Sequence, residues 1–378
     1  MDFTPTEEQR AAQELAAQIF GDLPTHERLS PKLSAPLEQG RPPSLTGTDG
    51  ELWKAVCAAG LIAAVEEIGL LGLVLLLEEQ GRTTAQVPFA ATCVYGLLAI
   101  AAHGSEEQRA RLLPAIGDGT TVVTGAFPAT GSIRSDASGA LNGTAPLVPW
   151  LRDATHVLVP DADRALWLVP TADPAVTVEP VETTAPWSAG RLTLNGAPGE
   201  WIGDDAAGGV YEHVLATSRT AFAGLQAGVC AGSLARAVEH TSTREQFGRP
   251  LSTNQGVLLR AADAYMDTEA IRVTAYEAAW RRDEGLPFGT HALTAAWWAS
   301  EAGQRVVHTG QHLHGGMGAD LDHPVHRHFL WGRQLDAYLG SGSEALAELG
   351  ELLVGADQVD QVDQEDRVER VGQEEGPV

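Results

Sequence analysis

The sequence predicts an α+β protein in which a small β domain is held between two helical domains. Three observations predict it. Apolar spacing is helical and alanine-rich from Thr6 to Leu113, short β-prone runs occupy Gly119 to Val214, and helical spacing returns from Arg219 to Leu353. The boundaries are 1–118, 119–215 and 216–354, followed by an acidic tail over 355–378.

In the first domain Glu8–Ala17, Glu51–Ala64, Leu70–Gly81, Val87–His103 and Glu106–Ile116 read as helices. Ser30–Gly50 carries Pro31, Pro36, Pro42 and Pro43 and reads as a loop. In the middle domain Thr121–Ala126, Thr155–Pro160, Ala165–Val169, Val176–Pro180, Arg191–Leu194 and Gly199–Ile202 read as strands. Asn142-Gly143 and Asn195-Gly196 are the strongest turn signals. In the last domain, amphipathic segments run up to Arg282, over Ala292–Thr309 and over Pro324–Leu339. After Gly355-Ala356 the repetitive acidic stretch is too poor in large apolar groups to offset its chain entropy. It is expected to be a disordered, solubilising tail.

A formal charge of -25 argues against nucleic acid or an anionic membrane as partner. The most apolar run, Gly69–Leu77, is bracketed by Glu66, Glu67, Glu78 and Glu79, far short of the roughly 20 residues of a membrane span. The start lacks a basic region followed by an apolar one, so no secretory signal is expected. Cys57, Cys93 and Cys230 are far apart and form no CxxC pair, which suits a reduced, cytoplasmic protein.

The last third carries specific words. Arg244-Glu-Gln-Phe247-Gly248 is followed by Gln255, then His312-Leu-His-Gly315-Gly316-Met-Gly318, then His323-Pro-Val-His-Arg327. Upstream lie Leu52-Trp53, Ala59-Gly60-Leu61, Glu78-Glu-Gln-Gly-Arg82, Pro88 and Gly104-Ser-Glu-Glu-Gln108. This order resembles the acyl-CoA dehydrogenase family over roughly residues 1–353. The resemblance implies a β-barrel-like middle domain, a four-helix bundle at the C-terminal end, bound FAD and a tetramer. It also implies α,β-desaturation of an acyl-CoA, in which a carboxylate removes the α-proton while hydride leaves for the flavin.

By the same resemblance, Arg244, Phe247, Gln255, His312, Gly315 and Gly316 are the cofactor-binding candidates, reaching the ADP half of a neighbouring subunit's FAD. Glycines let backbone amides approach a diphosphate, and the arginine supplies charge. His312 stands where the family has Gln, with Gln311 one position earlier. The flavin-ring side departs further. Ala126-Phe-Pro-Ala-Thr-Gly131-Ser132-Ile133 lacks the family's Glu and Asp, and Ala145, Leu147 and Pro149 replace lysine, an aromatic residue and threonine. Trp150 reads as an ordinary barrel tryptophan rather than a slipped flavin contact.

Both addresses at which the family keeps its base are vacant. Tyr338-Leu339-Gly340-Ser341 puts Leu339 at one, and Ser218-Arg219 puts Ser218 at the other. Neither can deprotonate a thioester. Glu344 lies beyond and reads as a solvated helix-start acid. No catalytic residue is therefore assigned to this chain. His308, His312, His314, His323, His326 and His328 lack an acidic or cysteine partner at ligand spacing, and no metal is expected. An intact ADP side with no base resembles the base-lacking subunit of actinobacterial α2β2 acyl-CoA dehydrogenases, several of which act on steroid side-chain CoA thioesters. The expected partner is a homologous base-carrying subunit that shares the FAD, with an acyl-CoA as substrate. Two alternatives stand beside it: a self-sufficient flavoenzyme with an unconventional base, as dehydrogenase or monooxygenase, and a purely structural pseudoenzyme.

Overall fold

A computed structural model describes residues 2–25, 47–203, 209–321 and 323–354. Most of the expected Ser30–Gly50 loop and the whole acidic tail lie outside these residues. The first helical domain comprises α1 (Glu7–Asp22), α2 (Gly50–Ala58), α3 (Leu61–Thr83), α4 (Phe89–His103) and α5 (Glu106–Gly117). Capping boxes at Thr6/Gln9 and Ser105/Gln108 start α1 and α5. The single helix expected over Glu51–Ala64 is broken, because Gly60 takes φ +70° and the chain bends 74° between α2 and α3.

A second break falls inside α3 at Gly69, whose φ is +72°. It exposes the amides of a new helical start, and Asp283, from the far end of the chain, accepts from Leu70 N at 2.9 Å and Leu71 N at 2.8 Å. This is an N-cap supplied by another domain.

The middle domain holds two four-stranded sheets with order β1-β4-β5-β8 and β2-β3-β7-β6. Its strands are β1 (Val123–Gly125), β2 (Arg134–Ser135), β3 (Ala140–Val148), β4 (His156–Pro160), β5 (Leu166–Pro170), β6 (Val176–Pro180), β7 (Gly190–Pro198) and β8 (Glu200–Ile202). Leu141, Val157, Val159, Leu192 and Leu194 fill the space between the sheets. The two Asn-Gly turns expected here are not turns. Asn142 pairs with Asn195 and Leu141 with Ala197, so Gly196 is the extra residue of a β-bulge. Asn142 Oδ1 accepts from Gly196 N at 2.8 Å. Gly143 is required by a close approach, since a Cβ there would sit 2.1 Å from the Ser132 carbonyl oxygen. The chain reverses instead at Asp136–Gly139, where Asp136 Oδ1 accepts from Ser138 N and Ala140 N.

The last domain comprises α6 (Gly209–Thr243), a two-residue hairpin β9 (Glu245–Gln246) and β10 (Arg249–Pro250), α7 (Gln255–Asp283), α8 (Gly289–His314), α9 (Pro324–Leu335) and a helix over 342–354. Helix α6 starts at Gly209, so residues 209–215, expected with the β region, are helical. The helix expected to reach Leu339 ends at Leu335. By length and composition α6 could cross a membrane, but 78% of its apolar window is buried among α3, α7, α8 and α9. It crosses α3 closely: a Cβ on Gly228 would sit 2.1 Å from the Glu78 carbonyl oxygen. Beside that crossing, the buried Glu78 carboxylate pairs with Arg272 of α7 at 3.0 Å.

Asp283→Ala removes the only side chain seen capping Leu70 and Leu71 among the described residues. We expect a loss of about 1–2 kcal/mol of stability, read as a lower midpoint in thermal or urea unfolding; an unchanged midpoint would show that the interdomain cap contributes nothing.

Candidate functional site

The two groups of candidate residues occupy contrasting surroundings. The first group gathers at one end of the last domain. Helix α6 ends at Thr243, and the backbone of Arg244 is held by His240 O at 2.8 Å and by Leu251 N at 2.9 Å. The short hairpin then turns through Phe247 and Gly248, with φ +54° and +76°. Two successive positive-φ residues make a type I′ turn, which phenylalanine disfavours. At its tip Phe247 is 100% exposed. Gln255 opens α7 behind an Asn254 cap, and its side chain is exposed.

His312 is exposed in the last turn of α8. Gly315 follows as the helix cap with φ +64°, and Gly316 continues into a 3₁₀ turn over Gly315–Ala319. A Cβ added to either glycine would meet nothing within 4 Å. Gln311 donates from Nε2 to Gly318 O at 3.1 Å, so the displaced glutamine braces the turn. Stacked rings of His240 and His314, 4.7 Å apart, tie the Arg244 end of α6 to the Gly315 end of α8. All six cofactor candidates are exposed in the single chain. Among the described residues the Arg244 guanidinium has no hydrogen-bond or ion-pair partner. An open backbone turn beside an uncommitted arginine fits a dianionic diphosphate.

Ser218 and Leu339 lie elsewhere, where the three domains meet. Ser218 is fully buried in α6, and its Oγ donates to Val214 O at 2.6 Å. Arg219 beside it forms a two-pronged pair with Glu348, at 2.8 and 2.7 Å. Leu339 is 7% exposed. Around them runs a chain of rings from all three domains: Tyr338 packs on Phe222 at 4.8 Å and on Trp187 at 6.1 Å, and Tyr95 stacks on Phe127 at 5.1 Å. The hydroxyls of Tyr95 and Tyr338 meet at 3.0 Å. Tyr95 stands in a π-helical turn, Thr92–Leu98, within α4. Burial pushes both phenols above their ordinary range, so neither is a base at neutral pH. Glu344 is exposed and accepts from Ser341 N at 2.7 Å and Ser341 Oγ at 2.9 Å, bonds that lower its pKa.

The flavin-ring side fits a ring poorly. Ala145 is buried in the β core, Leu147 points to solvent, and Trp150 is buried with its face on Trp187 at 5.9 Å. The structure thus brings together the diphosphate candidates and closes the region of the base. Sequence reasoning missed His240 and the ring junction. His240 stands one helical turn before Arg244 and was open to notice, whereas the rings come from positions as distant as Tyr95 and Tyr338, with no local signal.

Family models described as the N-terminal and C-terminal domains of acyl-CoA dehydrogenase match residues 6–120 and 208–349. Acyl-CoA dehydrogenase FadE27 of Mycobacterium tuberculosis is 35% identical, over 93% of this chain and 99% of that protein. Among solved structures, the Tcur3481-Tcur3483 steroid ACAD has 39% identity and a TM-score of 0.84, covering 93% of this chain and 99% of its own. The ChsE4-ChsE5 complex from Mycobacterium tuberculosis has 33% identity and a TM-score of 0.83, covering 94% and 99%.

Leu339→Glu would place a carboxyl group in this closed junction. We expect a loss of about 3 kcal/mol or more at pH 7, as for an unpaired buried charge. Burial raises the folded-state pKa, so the deficit should shrink as pH falls toward the free carboxyl's value. Urea unfolding at pH 7 and pH 5 measures it; equal deficits at both pH values would contradict the closed junction.

Proposed function

This chain belongs to the acyl-CoA dehydrogenase family, and within it we propose a non-catalytic subunit that completes the FAD site of a homologous, base-carrying subunit. The observation that carries the proposal is the contrast between its two sites. The diphosphate face is open and uncommitted, whereas Ser218 and Leu339 are buried, and no carboxylate bonds to Ser218 among the described residues. FAD supplies the hydride chemistry when bound. In this reading Arg244 meets the diphosphate, the Gly315-Gly316 turn presents its amides, and Phe247 closes over the cofactor from its hairpin. Gln255 and His312 donate from the flanking helix ends. The partner supplies the flavin-ring pocket, the acyl cleft and the base.

Two further points rest on similarity. Both solved structures cited above are described as two-component assemblies, and one is described as a steroid ACAD. They support a heteromeric complex and a steroid side-chain acyl-CoA as substrate. The reduced thiols support a cytoplasmic location.

Two measurements test this. Expressed alone, the chain should be colourless and inactive; expressed with the homologous subunit it should assemble, carry FAD and desaturate acyl-CoA. Yellow, active protein from this chain alone would favour a self-sufficient flavoenzyme. In the assembled complex Arg244→Ala should weaken FAD retention about tenfold or more, the worth of a charge-assisted hydrogen bond. Unchanged retention would reduce the chain to a structural pseudoenzyme.

A further inference from the structure

Three imidazoles meet behind the proposed diphosphate face. His240 comes from the end of α6, His314 from the end of α8 and His323 from the N-cap of α9. His240 and His314 lie 4.7 Å apart and nearly parallel, and His323 meets His314 at 4.9 Å and 62°. Two of the three residues adjoin the face directly: His240 O accepts from the Arg244 backbone and His314 immediately precedes Gly315, while His323 reaches it through the His314 ring.

We propose that the His240–His314–His323 stack is a positioning element of the FAD diphosphate site and takes up a proton when FAD binds. The proposal rests on the preceding assignment of this face to FAD. Imidazoles at van der Waals separation repel one another once more than one is charged, so close packing disfavours a second charge in the stack. Burial first, and then neighbouring imidazoles and Arg236, hold His314 below its ordinary pKa, against the pull of its bond to Gly310 O. Burial, Arg236 and His240 do the same to His323, where Asp320 acts in the opposite sense. Arg236 on α6 and Asp320 after the 3₁₀ turn are thus the charged groups acting on the stack. A diphosphate keeps both negative charges between pH 5 and 8, so its arrival favours imidazolium and the proton comes from solvent.

The sign follows by linkage. A group whose pKa rises on binding strengthens binding as pH falls, so FAD affinity is greatest when the stack is charged and declines as pH rises. Rings arranged face to edge and face to face do not converge their nitrogens on one point. Among the described residues no group of three His, Cys, Asp or Glu side chains could hold a metal ion.

The test uses the assembled complex, stripped of FAD and titrated with FAD between pH 5.5 and 8.5. Calorimetry in buffers of differing ionisation enthalpy counts the protons. We expect net uptake and an affinity about tenfold weaker at pH 8 than at pH 6, which corresponds to an average uptake of about half a proton over that range. His240→Gln and His323→Asn, the second keeping an N-cap acceptor, should each flatten that slope while leaving the unfolding midpoint near wild type. A flat wild-type profile, or slopes unchanged in both variants, overturns the proposal. Arg244→Ala separates the two failures. Weakened FAD binding with a flat pH profile rejects the stack alone, whereas unaltered binding rejects the face itself.

Discussion

The constraint on which the rest depends is the dry aromatic junction where the three domains meet. Tyr95 belongs to the first domain, Phe127, Trp150 and Trp187 to the second, and Tyr211, Phe222 and Tyr338 to the third. Each ring is buried, and each ring contact is worth about 0.5–1.5 kcal/mol beyond its area. The junction therefore packs the three domains together around Ser218 and Leu339, the positions at which the family resemblance expects a base. Within it Ser218 is bonded to its own helix and the two tyrosine hydroxyls to each other, while Trp187 Nε1 is buried with no hydrogen-bond partner among the described residues. A charge placed here would lose its hydration without finding a partner.

The opposite holds at the end of α6 and α8. There a phenylalanine is carried wholly exposed on a left-handed turn, an arginine is left without a partner among the described residues, and two adjacent glycines face open space. A monomer gains nothing from that arrangement, since backbone strain and an exposed aromatic ring are both unfavourable in water. In the function proposed above, another molecule offsets both by supplying charge to the arginine and a surface to the ring. One chain thus contains a closed region and an open one, joined by the rigid α6, which runs from beside Ser218 to Arg244.

Much of this was legible in the sequence. The order of helical, β and helical regions follows from apolar periodicity, and the capping boxes at Thr6 and Ser105 mark helix starts that the structure keeps. Gly248 and Gly315 were legible because turns with positive φ need particular residue types, while the role of Arg244 came from the family resemblance. The two Asn-Gly pairs were misleading for a physical reason. Asn195-Gly196 favours positive φ, which a hairpin turn and a bulge both require, whereas Gly143 is paired within β3 and answers to the nearby Ser132 carbonyl. Asp283 could not be foreseen as a cap, because its amides are more than 200 residues away. The ring junction was illegible likewise: its members share a place in space and no spacing along the chain.

That last point changes what the missing base means. Read in sequence, Leu339 and Ser218 are two single-residue vacancies, each repairable by one substitution. In the structure both positions are buried: Leu339 belongs to the same apolar cluster as Tyr338, Phe222 and Trp187, and Arg219 is already paired with Glu348. A carboxylate restored at either position would lose its hydration in that interior. Reopening the site would require removing several large rings from a packed interior, at about 3–5 kcal/mol for each aromatic side chain truncated. A domain of marginal stability cannot absorb that repeatedly. The burial of Ser218 and Leu339 is therefore a property of how the domains are packed together rather than of any single residue.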